Sequence, residues 1–289
     1  MKKFIVELIL IFTLVLVVGE LTTRFFGLRS QNMDFPTYDK EGFYVNKPNS
    51  QGDFVFGKFP SVYKTKFNFN DIGFNTPLDY KNFNNKKITV AFLGDSYVES
   101  YHVDYNESFS SILMNQSNDY QSYDFGVSGY SMEDYIWVYK NFNLNKFDYV
   151  FLLTTLNDFS KNPNRNKYNH IKEKFRNLYN SFHFFSFLNN NHLIISSLIG
   201  LFRKNNDKEK KEFILYDNHT KFISKPNLII LPRDELTYDL LQKKKINNLL
   251  KIENTLKPIN FGYLNGHWNK NGRINVISTI IPYLNKKKD

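Results

Sequence analysis

"KKITVAFLGDSYVES", residues 86–100, is the stretch from which the fold is read. Ile88 to Gly94 form a short apolar run interrupted only by Thr89, as in a strand covered on both faces. The run stops at Gly94-Asp95, and Ser96 stands on the turn. Outward from it the same rhythm repeats. A helical pattern through "SFSSILMNQS" (108–117) leads to a strand at "YQSYDFG" (120–126). A helix from "MEDYIWVYKNF" (132–142) leads to a strand at "FDYVFLLTT" (147–155), and a further strand lies at "PNLIILP" (226–232). A helix from Asp234 to about Leu256 and a last one from Asn271 to Leu284 complete the pattern. Short apolar strands separated by helices predict a three-layer α/β/α domain with a mainly parallel sheet.

In such sheets ligands sit outside the carboxyl ends of the strands. Ser96, Gly129 and Asn157 each fall just past one, so three separate segments converge on one edge. Each also has a duller reading: Ser96 ends a strand or caps the next helix, and Asn157 is a turn or N-cap residue. Asp95 reads as a loop organiser that accepts backbone N–H groups rather than as a proton carrier. His102, beside Tyr101, reads as a rim or surface residue. No HExxH, paired-cysteine or glycine-rich phosphate motif occurs, so neither a metal nor a nucleotide cofactor is implied.

The remaining residues set the bounds. A chain of 289 residues suffices for one sizeable α/β domain or two small ones. The formal net charge of +10 comes from 38 Lys and Arg against 28 Asp and Glu, but only seven of the cations are Arg, the residue favoured for phosphate and base recognition. Scattered Lys among Asn, Ile, Phe and Tyr does not read as a nucleic-acid surface. The absence of cysteine excludes disulfides and thiolate chemistry.

"MKK" precedes "FIVELILIFTLVLVVG", an apolar stretch broken by Glu7 and Thr13 and not followed by a small-x-small cleavage site. It reads as an N-terminal transmembrane helix, a single-pass signal anchor over residues 1–28. Lys2 and Lys3 keep the tail in the cytoplasm and put the body in the periplasm or exterior. Arg24 and Arg29 oppose that orientation, and a cleaved signal peptide is the alternative. Residues 29–85, rich in Asn, Gly, Pro and aromatics, read as an extended arm, and residues 86–289 as the folded domain with an insertion at 160–225. Within the insertion, "FHFFSFLNNNHLIISSLIGLF" (182–202) reads as a packed cap helix and "RKNNDKEKKE" (203–212) as a solvated charge run.

Four blocks carry a resemblance. "FLGDS" (92–96), "FGVSGYS" (125–131), "TLND" (155–158) and "NGHWNKNG" (265–272), in this order, resemble the sequence blocks of the SGNH (GDSL) hydrolases over roughly residues 65–285. "FNFNDIGFNT" (67–76) resembles the arm before the Ser block in membrane-anchored bacterial members. The resemblance implies Ser96 as nucleophile, His267 as its base, and an oxyanion hole of Ser96 N–H, Gly129 N–H and the Asn157 side chain. Gly126, which ends its strand, fits the donor role less well. The chemistry explains the residue types: a serine hydroxyl needs an adjacent base, and each preorganised oxyanion donor is worth about 3 kcal/mol. The implied activity is that of a membrane-anchored serine esterase or O-acyltransferase without a cofactor. Acetyl esters on cell-surface glycans are the implied substrates, and the many Tyr and Phe suit sugar stacking.

One departure stands out. Members with the "HWN" form carry Asp two residues before the His, and here that position is Asn265; position 264, the other place for the acid, is Leu. Asn orients an imidazole through its carbonyl oxygen, yet in the serine-protease triad the Asp-to-Asn change costs ~10⁴ in kcat. Three readings stay open: a slow or specialised Ser-His enzyme with Asn265 as orienter, an enzyme whose acid comes from elsewhere, such as Asp158 or Asp234, or a degenerate member that binds or helps assemble surface polysaccharide without hydrolysing it.

Overall fold

The structure, a computed structural model, describes residues 2–28, 37–39, 42–58, 61–76, 78–83, 87–159, 182–190, 213–252 and 266–286. They fall into two compact units. The smaller contains, among the described residues, 2–28, 53–58, 61–64 and 182–190, and the larger contains the rest.

In the smaller unit, the helix Lys2–Phe25 is apolar on every face and leaves Phe4, Leu10, Phe12, Leu14 and Leu21 exposed. It is long and apolar enough to cross a membrane, as an anchor and a signal sequence both are. Near its end, Glu20 pairs with Arg24 at 2.7 Å and accepts the Phe184 N–H at 2.9 Å, from the helix His183–Asn190. Residues 160–181 and 191–212 of the expected insertion lie outside the described residues.

The larger unit is built on four parallel strands, β1 (Ile88–Gly94), β2 (Tyr120–Gly126), β3 (Tyr149–Thr154) and β4 (Leu228–Pro232), in the order β2-β1-β3-β4. Leu93 pairs with Phe125 on one side and Leu152 on the other, and Leu152 pairs with Ile230. Successive side chains point to opposite faces, and both faces are covered. Ala91, Leu93, Val150, Leu152 and Ile230 meet Tyr135 and Val138 of α3 (Met132–Asn141) and Phe222 and Ile223 of α4 (Asp217–Ile223). Val90, Phe92, Phe151, Leu153 and Leu231 meet Phe109 and Leu113 of α2 (Phe109–Gln116) and Val276, Ile277 and Ile280 of α6 (Lys270–Lys286). Each such burial contributes about 1.5–3 kcal/mol, which is why β1, β3 and β4 read as nearly continuous apolar runs, whereas β2 also buries Gln121, Ser122 and Asp124. This is the expected three-layer α/β/α architecture with a parallel sheet.

The expected helix from Asp234 to about Leu256 is shorter. It runs from Glu235 to Lys243 (α5) and ends at Lys245, whose φ is 58°. The chain then turns back along β4: Ile230 N–H donates to Asn248 O and Leu250 N–H to Ile230 O, both at 2.9 Å. The apolar residues Leu249 and Leu250 belong to this sheet edge rather than to a helical stripe, which the sequence pattern alone does not distinguish.

β1 connects to β2 on one side, whereas β3, on its other side, connects onward to β4. The crevice at the carboxyl ends of β1 and β3 is therefore the switch point of the sheet, the place where doubly wound folds bind ligands. Ser96 and Asn157 follow these two strands.

Candidate active site

Directly after β1 the chain forms the four-residue helix α1 (Ser96–Glu99). Asp95 is its N-cap, accepting the Tyr97 N–H at 3.0 Å, and Ser100 closes it with φ 69°. Asp95 thus organises the turn, and Ser96 becomes the first helical residue at the switch point. Gly126 gives α1 its seat: a Cβ there would stand 2.3 Å from Glu99 N and 2.6 Å from the Val98 carbonyl carbon. Only a residue without a side chain ends β2 at this place.

His267 reaches Ser96 from the far end of the chain. The next residue, Trp268, is fully buried, with its ring edge-on to Tyr97 at 5.0 Å and to Phe109 at 6.2 Å. Asn269 Oδ1 then accepts the Gly272 N–H at 3.1 Å at the start of α6. The three residues of "HWN" are an imidazole, an anchor and a cap. Ser96 Oγ lies 2.9 Å from His267 Nε2, within the range over which a proton passes. The neighbouring Gly266 carbonyl accepts the Tyr97 hydroxyl at 2.9 Å, tying the His267 loop to α1.

Two rings lie close to the His267 imidazole and tilted by about a third of a right angle: Tyr97 at 4.6 Å and 31°, and His102 at 3.8 Å and 30°. His102, read from the sequence as a rim or surface residue, is half-buried with its ring against that of His267. Burial lowers its pKa to about 3, assisted by the charges of His267 and Arg273. It is neutral near pH 7.

Gly129 lies in the turn after β2 with φ 85°, a conformation that favours glycine. The turn is held from α1. Glu99 accepts the Ser128 N–H at 2.8 Å and the Ser128 hydroxyl as well, and its other oxygen accepts Asn46 Nδ2 at 2.8 Å. The Tyr44 hydroxyl donates to Ser128 O at 2.8 Å. Glu99 is wholly buried, and burial pushes its carboxyl up to about 7 against the pull of these hydrogen bonds. Glu99, Asn46 and Tyr44 were not among the expected site residues. The available signal was an acidic residue three places after Ser96 in an otherwise buried turn.

Asn157 is exposed in the 3-10 turn Leu156–Phe159 after β3, with its N–H directed to Thr155 Oγ1 at 3.3 Å. Asp158 beneath it accepts Thr154 Oγ1 at 2.9 Å and Thr155 N–H at 2.8 Å; burial, then the Asp95 charge, raises its pKa. Asp234 caps α5 through the Thr237 N–H at 2.8 Å and the Thr237 hydroxyl. Neither carboxylate is bonded to His267, so the two alternative acids are engaged elsewhere. Asn265 lies outside the described residues. Among the described residues no three His, Asp or Glu side chains group to hold a metal ion.

No protein-family model matches the chain, and no curated protein matches it at a significant level. Its structure is similar to several solved structures. One is a lipase/acylhydrolase from Enterococcus faecalis, 14% identical with a TM-score of 0.40, covering 69% of this chain and 96% of that one. A member of the lipolytic protein G-D-S-L family from Veillonella parvula is 12% identical with a TM-score of 0.35, covering 67% and 96%. A carbohydrate acetylesterase family member from Sinorhizobium meliloti is 12% identical with a TM-score of 0.34, covering 68% and 96%. Likenesses at this distance bear on none of the chemistry, which stands on the contact of Ser96 with His267.

Proposed function

We propose that the protein is a serine esterase or O-acyltransferase, held at a membrane by its N-terminal helix and acting on acetyl esters of cell-surface glycans outside the cytoplasm. The observation that carries this reading is the 2.9 Å contact between Ser96 Oγ and His267 Nε2 at the switch point of the sheet. His267 takes the hydroxyl proton as Ser96 Oγ bonds to the ester carbonyl carbon. The negative charge moves to the carbonyl oxygen, where Ser96 N–H, Gly129 N–H and the Asn157 amide receive it. As the C–O bond to the alcohol breaks, His267 returns the proton to the departing oxygen and leaves acetyl-Ser96. Water, or the hydroxyl of a second sugar, then repeats the sequence and releases acetate or a new ester. Hydrolysis and transfer share the acyl-enzyme and differ in the second nucleophile.

Asn265 positions the imidazole in place of an acid in this scheme. The same residue is the observation that favours the rival reading, a non-catalytic protein that binds or helps assemble surface polysaccharide. Assay of the full-length protein in detergent with p-nitrophenyl acetate separates the two. Release of nitrophenol that Ser96→Ala abolishes is the expected result. Release no faster than in buffer, or unaltered by Ser96→Ala, gives the site to the non-catalytic reading.

A further inference from the structure

We propose that Arg233, stacked on Tyr97 beside the Ser96–His267 pair, binds a carboxylate on the alcohol part of the substrate, so that the ester is borne by an acidic sugar; this rests on the esterase reading. Arg233 follows β4, and its N–H donates to Thr154 O at the end of β3 at 2.9 Å, which fixes its backbone at the edge that carries Ser96. Its guanidinium carbon lies 4.1 Å from the centre of the Tyr97 ring, and that ring is 4.6 Å from the His267 ring. The cation is therefore no farther from His267 than these two contacts laid end to end.

Tyr97 is itself pinned, its hydroxyl donating to Gly266 O at 2.9 Å. A flat guanidinium over a fixed ring is a cation with its orientation set in advance. Its donors are unspent. The group is half-buried, and among the described residues no oxygen accepts a hydrogen bond from it. The nearby Asp158 feels the Arg233 charge, but its hydrogen bonds go to Thr154 and Thr155 and none comes from the guanidinium. The second arginine of the region differs in burial: Arg273, over Phe109, donates to Ser100 Oγ at 2.7 Å and leaves Nε and one Nη unpaired, but it is fully buried and out of a substrate's reach. Arg273 is part of the fold, whereas Arg233 presents a planar fork of donors whose geometry matches a carboxylate.

The side of the site follows from the chemistry. His267 returns a proton to the departing alcohol, so the alcohol lies against the imidazole, whereas Gly129 and Asn157 face the acyl oxygen. Because Arg233 lies over the ring that packs against His267, we assign it to the alcohol side.

The test compares full-length protein, in detergent, on O-acetylated oligogalacturonate and on a neutral O-acetylated galacto-oligosaccharide of equal length. A charge-assisted bidentate contact predicts kcat/KM at least tenfold higher on the acidic substrate, a preference that added salt weakens. Arg233→Gln should erase the preference, and Arg233→Lys, with charge but no fork, should keep a part of it. Equal kcat/KM on the two substrates, or a loss with Arg233→Gln that is the same for both, overturns the proposal. If neither substrate releases acetate, the esterase reading has failed, and calorimetric titration with the unacetylated oligosaccharides decides the subsite by itself. Tighter binding of oligogalacturonate that Arg233→Gln abolishes upholds it; equal binding of the two, or none, removes it.

Discussion

In the proposed mechanism His267 takes the Ser96 proton, and the groups around its ring decide how it is oriented. Asp158 and Asp234 are bonded to threonines, so an acid for the imidazole is not supplied by either of them. Among the described residues two rings lie against it, Tyr97 at 4.6 Å and His102 at 3.8 Å. Ring pairs of this kind contribute about 0.5–1.5 kcal/mol, so His102→Ala should lower kcat about threefold to tenfold, and His102→Phe should restore most of it. Equal losses in both variants would show that the imidazole, rather than the ring, matters. Asn265→Asp places a carboxylate at the position from which the proposed mechanism has the imidazole oriented. It should speed acyl-enzyme formation by an order of magnitude or more, up to the ~10⁴ of the protease precedent. No change in rate, with Ser96→Ala inactive, would mean that another group already stabilises the imidazolium.

At the scale of elements, α1 does two things in four residues: it starts with Ser96 and ends with Glu99, which holds the Gly129 turn. Glu99→Gln keeps the size but places an amide donor against Ser128 N–H or Asn46 Nδ2. We expect kcat to fall about tenfold with KM within about twofold, because the turn serves the transition state more than the bound ester. A rise in KM alone would separate Glu99 from the oxyanion side. Gly126→Ala forces a Cβ to 2.3 Å from the backbone of α1 and should lower thermal stability by about 1–3 kcal/mol; a variant as stable as the parent would contradict the close seat of α1. β1, β3 and β4 were legible because each is buried on both faces and carries a nearly continuous apolar run; β2, which buries Gln121, Ser122 and Asp124, was legible from its place between two helical patterns. The bend after Lys245 was not, since Leu249 and Leu250 are apolar in either a helix or an edge. Ser96 and His267 were legible through the motifs around them. Glu99 and His102 were not, because their roles depend on partners at Asn46, Ser128 and His267 that only the folded chain brings near.

For the whole molecule, buried ionisable groups set an unusual pH response. Burial raises Glu99 to about 7 and Asp124 to about 6, and raises Asp158 as well, whereas it lowers His102 to about 3. As pH falls, the three carboxyls bind protons in the folded state before the unfolded one does, so they add stability below about pH 7 and withdraw it as pH rises through that value. His102 acts oppositely, because below about pH 6.5 the unfolded state takes a proton that the folded state refuses. With three groups against one, the unfolding temperature should be higher at about pH 5.5 than at about pH 8, and Glu99→Gln should narrow the gap; a fall in unfolding temperature from pH 8 to pH 5.5 would contradict this. The central claim is that a serine activated by His267 works in the membrane-held, full-length chain. The most direct measurement is labelling of membranes that contain the protein with a fluorophosphonate, which reacts covalently with activated serines, followed by mass mapping of the labelled peptide. The expected result is a single adduct on Ser96 of the full-length, membrane-pelleted protein, lost in His267→Ala. No adduct, or one on a different serine that His267→Ala leaves untouched, would contradict it.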